Sequence, residues 1–296
     1  MIETYIHEKG KIIETKLEDY LNHYREVPDR LYQSMKYSLM AGGKRLRPIL
    51  VLATVEACDK PEELAYPLAC AIEMIHTYSL IHDDLPCMDD DDYRRGKLTN
   101  HKKFDEATAV LAGDALLTEA FTLMSKGVRA AKLSFDDSLA IIEETAKHAG
   151  AFGMIGGQMD DLLSEDKQIT VEELEAIHRR KTGDLIAFSV RTGARIGGAS
   201  EEALTSLTQF AYRLGLAFQI QDDILDIIGD PELIGKPVGS DQENLKSTYP
   251  SLLGLEESQQ LLARLTYTAK EELLKTTELN PQRLLDIADY LLTRKR

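Results

Sequence analysis

The chain has 296 residues, of which 43% are hydrophobic, enough for a sizeable core. Its 50 acids against 35 Lys and Arg leave a formal charge of −15. That is a poor footprint for nucleic acid or an anionic membrane surface, and neither is expected as a partner. Three scattered cysteines, Cys58, Cys70 and Cys87, do not suggest a disulfide framework. The charged N-terminus has no apolar stretch of a signal peptide, and no uncharged apolar run reaches the ~18 residues of a membrane span. The expectation is a cytoplasmic protein with no stable membrane insertion.

Helical periodicity dominates in chain order: "IIETKLEDYL", "ELAYPLACAIEMIHTYSLIH", "ATAVLAGDALLTEAFTLM", "DSLAIIEETAKHAG", "VEELEAIHRRKTGDLIAFSVRTGARIGG" and "EEALTSLTQFAYRLGLAFQIQDDILDIIG". Each places apolar residues three and four apart. Asp59 to Glu62 and Thr170 to Glu173 read as N-caps with an acid at the third helical position, and Asn280-Pro281 as an N-cap followed by proline. No alternating strand run stands out. The expected fold is all-α, a single domain over 1–296 with roughly ten helices. The longest irregular stretch, Gly229 to Gly254, is rich in Gly, Pro, Ser and charge. A loop of that length in a compact domain reads as an active-site lid.

Two helical runs end in paired acids. In "DDILD", Asp222 and Asp226 are four apart and share a face, with Asp223 about 100° round, among Ile220, Ile224, Leu225, Ile227 and Ile228. Like charges so placed repel, and partial burial raises the cost, so a cation is needed. Carboxylates are hard oxygen ligands suited to Mg²⁺, which keeps several waters and binds substrate phosphates. In "YSLIHDDLPCMDDDDYRRG", Asp83 and Asp84 end an apolar run and Pro86 interrupts the hydrogen-bond ladder. The chain should therefore bulge before Asp89 returns, while Asp90, Asp91 and Asp92 are left as metal ligands or as solvated acids.

Cations lie close by in sequence. "AGGKRLRP" holds Lys44 and Arg47 after a glycine pair that allows close backbone approach. Arg94 and Arg95 follow the first acidic run, and Lys181 lies in "RRKTGD". Lys236 and Lys246 fall in the lid stretch, and His76, seven residues before Asp83, shares nearly its face. Together they suggest a pocket for two anions, one bridged by metal and one held by basic side chains.

The ordered set "GGKRLRP", "DDLPCMD", "RRKTG", "FQIQDDILD" and "GKPVGSD" with "KSTYP" resembles the trans-isoprenyl diphosphate synthases, with the bacterial farnesyl type nearest in pattern. The resemblance runs from about Gly42 to Pro250. It implies a helical bundle around a deep central cavity with the two acidic motifs at its mouth, a homodimer, isoprenoid diphosphate substrates and about three Mg²⁺ ions. By resemblance, Asp83, Asp89 and Asp222 bind metal, with Asp84, Asp223 and Asp226 in support. Arg94, Lys181 and Lys236 would hold the allylic diphosphate, with Thr182 and Gln219 turned to the developing cation. Lys181, Thr182 and Gln219 are the expected catalytic set. Lys44, Arg47, His76 and Arg95 would hold isopentenyl diphosphate, and Gln158 and Asp161 would line the cavity. Tyr78, five residues before Asp83 and roughly 7.5 Å deeper along the helix, and Ser79 would set chain length, which points to a fifteen-carbon product. Geranyl or geranylgeranyl diphosphate is the alternative.

Two rivals come from other classes. "EMIH" (Glu73 to His76) and "EAIH" (Glu175 to His178) have the Glu-x-x-His spacing of di-iron carboxylate bundles, but that reading leaves both Asp-Asp helix ends and the basic motifs unexplained. A non-enzymatic helical scaffold would have merely solvated acidic faces. The basic tail, Thr293 to Arg296, either approaches the isopentenyl diphosphate site or is solvated.

Overall fold

The computed structural model describes residues 2–24, 26–165, 167–229 and 247–293. Among them the chain is all-α. The α-helices are α1 Ile2–Leu21, α2 Asp29–Leu39, α3 Leu46–Ala57, α4 Tyr66–Asp83, α5 Asn100–Lys103, α6 Glu106–Ala130, α7 Phe135–Ala149, α8 Met154–Ser164, α9 Val171–His178, α10 Asp184–Gly197, α11 Glu201–Ile228, α12 Tyr249–Leu253, α13 Leu255–Leu274 and α14 Gln282–Thr293. A π-turn, Arg179–Gly183, joins α9 to α10, and two short 3₁₀ turns occur at Asn22–Tyr24 and Glu62–Leu64. The helices outnumber the ten or so expected, in part because α5 and α12 are short pieces with no periodic signal of their own. The single strand pair, β1 Tyr93–Arg94 and β2 Lys97–Leu98, is likewise too short to show alternation.

The residues fall into two compact units, one of Glu3–Leu52 with Pro61–Ser138, the other of Ala53–Lys60 with Leu139–Arg296. In the first, α4 packs along α6, with α2 against both. Helix α4 is buried nearly all round (Leu68, Ala69, Cys70, Ala71, Ile72, Met74 and Ile75), which marks a core helix rather than a surface one. Helix α6 starts where the Asp105 carboxylate accepts from the Thr108 N–H at 2.7 Å. It is the one helix among the described residues long and apolar enough to cross a membrane. Its apolar face, Ala109, Ala112, Leu116, Ala120 and Leu123, is buried in the first unit.

In the second unit α11 runs beside α13 and α10. Leu174, Leu216, Ala217, Ile220, Ile224, Tyr249 and Leu262 form its apolar cluster around α11. Thr170 caps α9 in a full capping box with Glu173, as its sequence predicts. Asp59 does not cap the next helix. Its backbone is left-handed (φ 54°), and Pro61 stands at the cap of the following 3₁₀ turn with no side-chain bond. Helix α14 begins at Gln282, one residue past the proline expected at its first position. Helix α10 ends where Gly198 turns left-handed (φ 71°) and its N–H reaches back to the Ala194 and Arg195 carbonyls.

Arg191 and Arg195, one turn apart on α10, both donate to the Glu144 carboxylate of α7, at 3.0 Å (Arg191 Nε) and 2.7 Å (Arg195 Nη2). Glu144 is largely buried and held below the ordinary carboxylate range: burial opposes its charge, but the two guanidinium groups outweigh it. Removing the shared acceptor leaves two crowded cations. Glu144→Ala is expected to cost about 2–4 kcal/mol in urea unfolding, and a loss below ~0.5 kcal/mol would show that the arginines simply re-solvate.

Candidate functional site

Helix α4 ends at Asp83, and the chain then bulges as Pro86 dictates. The Leu85 N–H donates to His82 O at 3.2 Å and Met88 N–H to Leu85 O at 2.8 Å. The Asp89 N–H then closes on Asp83 O at 3.0 Å. That last bond returns Asp89 beside Asp83 across the bulge, with Pro86 and Cys87 exposed at its tip. Asp84 is buried and takes Arg94 through both Nε and Nη2, each at 2.6 Å. Arg94 also lies 4.0 Å from Asp83 and 3.7 Å from Asp91. Burial pushes the Asp84 carboxyl up to about 6, with Arg94 pulling it back and Asp91 and Asp83 adding to the rise. For Arg94, burial opposes its charge, but the three carboxylates outweigh burial and its pKa is raised.

The hairpin presents these arginines. Tyr93 pairs with Leu98 and Arg94 with Lys97, and the two turn residues, Arg95 and Gly96, both have positive φ (54° and 73°), as a tight two-residue hairpin of right-handed twist requires. The acids left open by the sequence are engaged locally. Asp92 takes Lys102 at 2.7 Å, and Asp90 lies 3.9 Å from both Lys102 and His101. The Asp91 and Asp92 carbonyls accept from the Thr99 hydroxyl and N–H.

The basic loop belongs to the same unit. Gly42 and Gly43 have φ of 88° and 115°. A Cβ on Gly43 would lie 2.4 Å from the Arg95 guanidinium carbon, so only glycine lets Arg95 reach the Gly42 carbonyl, to which it donates. Arg45, between Lys44 and Leu46, is buried and left-handed (φ 50°). It donates to Glu73 Oε1 and to Leu39 O, each at 2.7 Å. Arg47 donates to His76 Nε2 at 3.2 Å. A guanidinium has no acceptor to offer, so His76 is neutral with its proton on Nδ1. Burial, then Arg47 and the other arginines, push His76 well below its usual value. Burial, with repulsion from Arg95, lowers Arg47 to about 10 despite Glu73. The Arg47 Nε is buried without a partner. Lys44 is exposed at the loop. Two residues beyond the histidine, Tyr78 is buried with its ring edge on His82 (centroids 5.7 Å apart) and its hydroxyl unpartnered. Ser79 donates to His76 O at 2.8 Å.

In the second unit the π-turn carries Lys181 and Thr182. It is pinched by two helices: a Cβ at Gly157 of α8 would lie 2.2 Å from the Lys181 nitrogen, and one at Gly215 of α11 would lie 3.0 Å from Gly183 Cα. Lys181 donates to Asp161 at 2.6 Å, and Thr182 is buried. Asp184, just past the turn, accepts from His148 Nδ1 at 2.8 Å and from the Tyr212 hydroxyl at 2.7 Å. The Arg179 guanidinium lies over the Tyr212 ring, 4.1 Å from its centre. On α11, Gln219 and Asp222 are half-buried, while Asp223 and Asp226 are buried. Asp223 accepts the Tyr249 N–H at 2.9 Å, so this acid anchors the start of α12. Tyr249 stacks on His178, centroids 5.8 Å apart. Gln158 lies half-buried on α8.

Lys236 and Lys246, most of the lid stretch and the tail beyond Thr293 lie outside the described residues. Within them, no group of three His, Cys, Asp or Glu is drawn together to hold a metal. The contacts of the two Glu-x-x-His segments differ from those of the di-iron reading: Glu73 and His76 are engaged with Arg45 and Arg47, and His178 is packed on Tyr249. It does not conflict with Mg²⁺, which needs only one or two carboxylates beside substrate phosphates. The adjacent Asp83 and Asp89, hard donors on a common bulge, fit that demand.

The chain is all-α, with acids at the ends of α4 and α11 and a glycine-hinged basic loop before α3. The model of the polyprenyl synthetase family matches residues 28–279, and the chain belongs to that family. It is 54% identical over 255 residues to the farnesyl diphosphate synthase of Bacillus subtilis (strain 168), covering 86% of each chain. It is 53% identical over 262 residues to that of Geobacillus stearothermophilus, covering 88% of each. Among solved structures, an FPP/GFPP synthase from Zymomonas mobilis superposes with a TM-score of 0.85 at 36% identity over 99% of both chains.

Arg45, His148, Asp184 and Tyr212 carry no motif in the sequence that marks them as partners of the site. Glu73 carried a signal, its spacing to His76, and that signal pointed to metal when the partners are arginines. The Asp184 contacts join residues 28 and 36 positions apart, which no local pattern marks.

Burial lowers His178 to about 4 from an ordinary 6.5, with Lys181 adding to the drop and Asp161 opposing it. The unfolded chain therefore binds the proton first as pH falls, and His178 subtracts stability between pH 6.5 and about 4. The His178→Phe variant is expected to show a flatter loss of unfolding free energy across that window in urea titrations. Parallel profiles would contradict it.

Proposed function

We propose that this chain is a farnesyl diphosphate synthase, a prenyltransferase that joins isopentenyl diphosphate to dimethylallyl diphosphate and then to geranyl diphosphate. The observation that carries the reading is the first unit's pairing of a closed acidic bulge with a basic cluster. Asp89 is tied back to Asp83, Arg47 donates to His76, and Arg95 lies against Gly43. Identity of more than half to two farnesyl diphosphate synthases supports the product.

In this reading Asp83, Asp89 and Asp222 hold about three Mg²⁺ ions, which when bound supply the positive charge that lets diphosphate leave. Arg94, Lys181 and Lys236 take the departing diphosphate charge as the allylic C–O bond breaks. Thr182 and Gln219 turn oxygen toward the carbocation. Lys44, Arg47, Arg95 and the Nδ1–H of His76 hold isopentenyl diphosphate so that its double bond attacks the cation. A proton then leaves the new carbon for the released diphosphate, and no side chain is assigned as base. Asp84 and Asp226 steady the acidic clusters. Asp223 contributes through α12 rather than as a ligand. Tyr78, with Ser79 beside it, closes the floor that the growing chain meets. The whole of 1–296 works as one catalytic domain, cytoplasmic and homodimeric, with the stretch about 229–254 as its lid.

Incubation with Mg²⁺, isopentenyl diphosphate and dimethylallyl diphosphate is expected to end at fifteen carbons. Accumulation of twenty-carbon product would favour a geranylgeranyl diphosphate synthase, and no condensation at all would refute the reading. Tyr78→Ala is expected to lengthen the products on chromatography, and an unchanged length would remove Tyr78 from that role. Asp222→Lys is expected to fold normally by circular dichroism while losing at least about a hundredfold in kcat, on the scale of losing one electrostatic contact in the transition state. Retained activity would remove Asp222 from the metal site.

A further inference from the structure

The Glu-x-x-His spacing on α4 is used for something other than metal. Glu73 and His76 are one turn apart and share a face, and each grips one arginine of the basic loop. Glu73 takes Arg45 at 2.7 Å, and His76 takes Arg47 at 3.2 Å. Arg95, which donates to the Gly42 carbonyl, ties the start of the loop, and Glu73 and His76 tie its end. Gly42, Gly43 and Arg45 are all left-handed, and for an arginine that conformation is held only when its surroundings impose it. The Arg45 side chain is 1% exposed and that of Glu73 2%. The guanidinium also donates to Leu39 O at 2.7 Å, and Glu14 lies 3.5 Å away. A buried ion pair of this kind contributes little net stability over an apolar pair of the same volume. What it supplies is a fixed geometry and a buried negative charge among Arg45, Arg47 and Arg95, three cations that would otherwise repel one another.

We infer that Glu73 is a positioning residue for the isopentenyl diphosphate pocket. Through Arg45 it sets the loop so that Arg47 lies against His76 and Lys44 faces outward, and it balances the cations before any diphosphate enters. The inference rests on the synthase reading only for the name of the ligand. The pocket then meets its anion preassembled, and the ordering of loop and arginines is not charged to binding.

The test uses the full chain with Glu73→Gln, which keeps the shape and removes the charge, beside Arg45→Lys. In steady state, Glu73→Gln is expected to raise the KM for isopentenyl diphosphate about tenfold, the scale of one charged hydrogen bond. The KM for the allylic substrate is expected to stay within about twofold and kcat within about threefold. Calorimetry with inorganic diphosphate in chelator reads the pocket without turnover and should show a similar loss of affinity. If the wild type proves not to condense isoprenoid diphosphates, the functional reading fails while the diphosphate arm still decides this inference. A double variant, Arg45→Met with Glu73→Met, should regain the melting temperature and not the affinity. Unchanged diphosphate affinity in Glu73→Gln, or recovery of affinity together with stability in the double variant, would overturn the positioning role. Should Glu73→Gln fail to fold, Arg45→Lys carries the same expectations and the same contrary results.

Discussion

Charge of one sign gathered at one place must be opposed before its ligand arrives, and much of this molecule is arranged around that constraint. Asp83, Asp84 and Asp91 crowd together on the bulge after α4, and Arg94 lies among them. Asp90 and Asp92 are answered by Lys102. On the basic side Glu73 answers Arg45, and its field reaches Arg47 and Arg95. In the second unit Lys181 is held by Asp161 and Arg180 by Asp160, at 2.6 and 2.5 Å. Arg94 among its acids, and Lys181 on Asp161, are thus balanced by fixed partners nearby, and exchange of such a partner for a ligand costs less than burying a bare charge.

The backbone serves the same end. Left-handed residues recur where charge is presented: Gly42, Gly43 and Arg45 in the basic loop, Asp90 in the acidic run, and Arg95 with Gly96 in the hairpin turn. The π-turn adds a residue to the helical path at Lys181 and Thr182, and the close approach of Gly157 and Gly215 holds it there. Irregular backbone of this kind is costly and persists where function uses it.

Much of this was legible in the residues. The helical periods marked the core helices, and Pro86 called for the bulge that the Asp89 to Asp83 bond closes. The glycine pair at 42–43 announced a close approach, although not that Arg95 would fill it. Short elements escaped, because a two-residue strand and a four-residue helix carry no period. Partners distant in sequence escaped for a different reason. Nothing near Glu73 says that it meets Arg45 rather than iron, and nothing near Asp223 says that it accepts the Tyr249 N–H. Acids at helical spacing show where charge collects, while the groups that answer it are chosen by packing.

The most direct measurement is thermal unfolding with Mg²⁺ alone, inorganic diphosphate alone, and both together at constant ionic strength. Internal partners already balance the acids after α4 and the arginines of the basic loop, so neither ion alone should stabilise much. Together they should raise the melting temperature well beyond the sum of their separate effects, because metal and diphosphate complete one another's coordination and bind only the folded chain. A joint effect no larger than that of sulfate at the same ionic strength would contradict the proposal that this chain binds diphosphate together with metal.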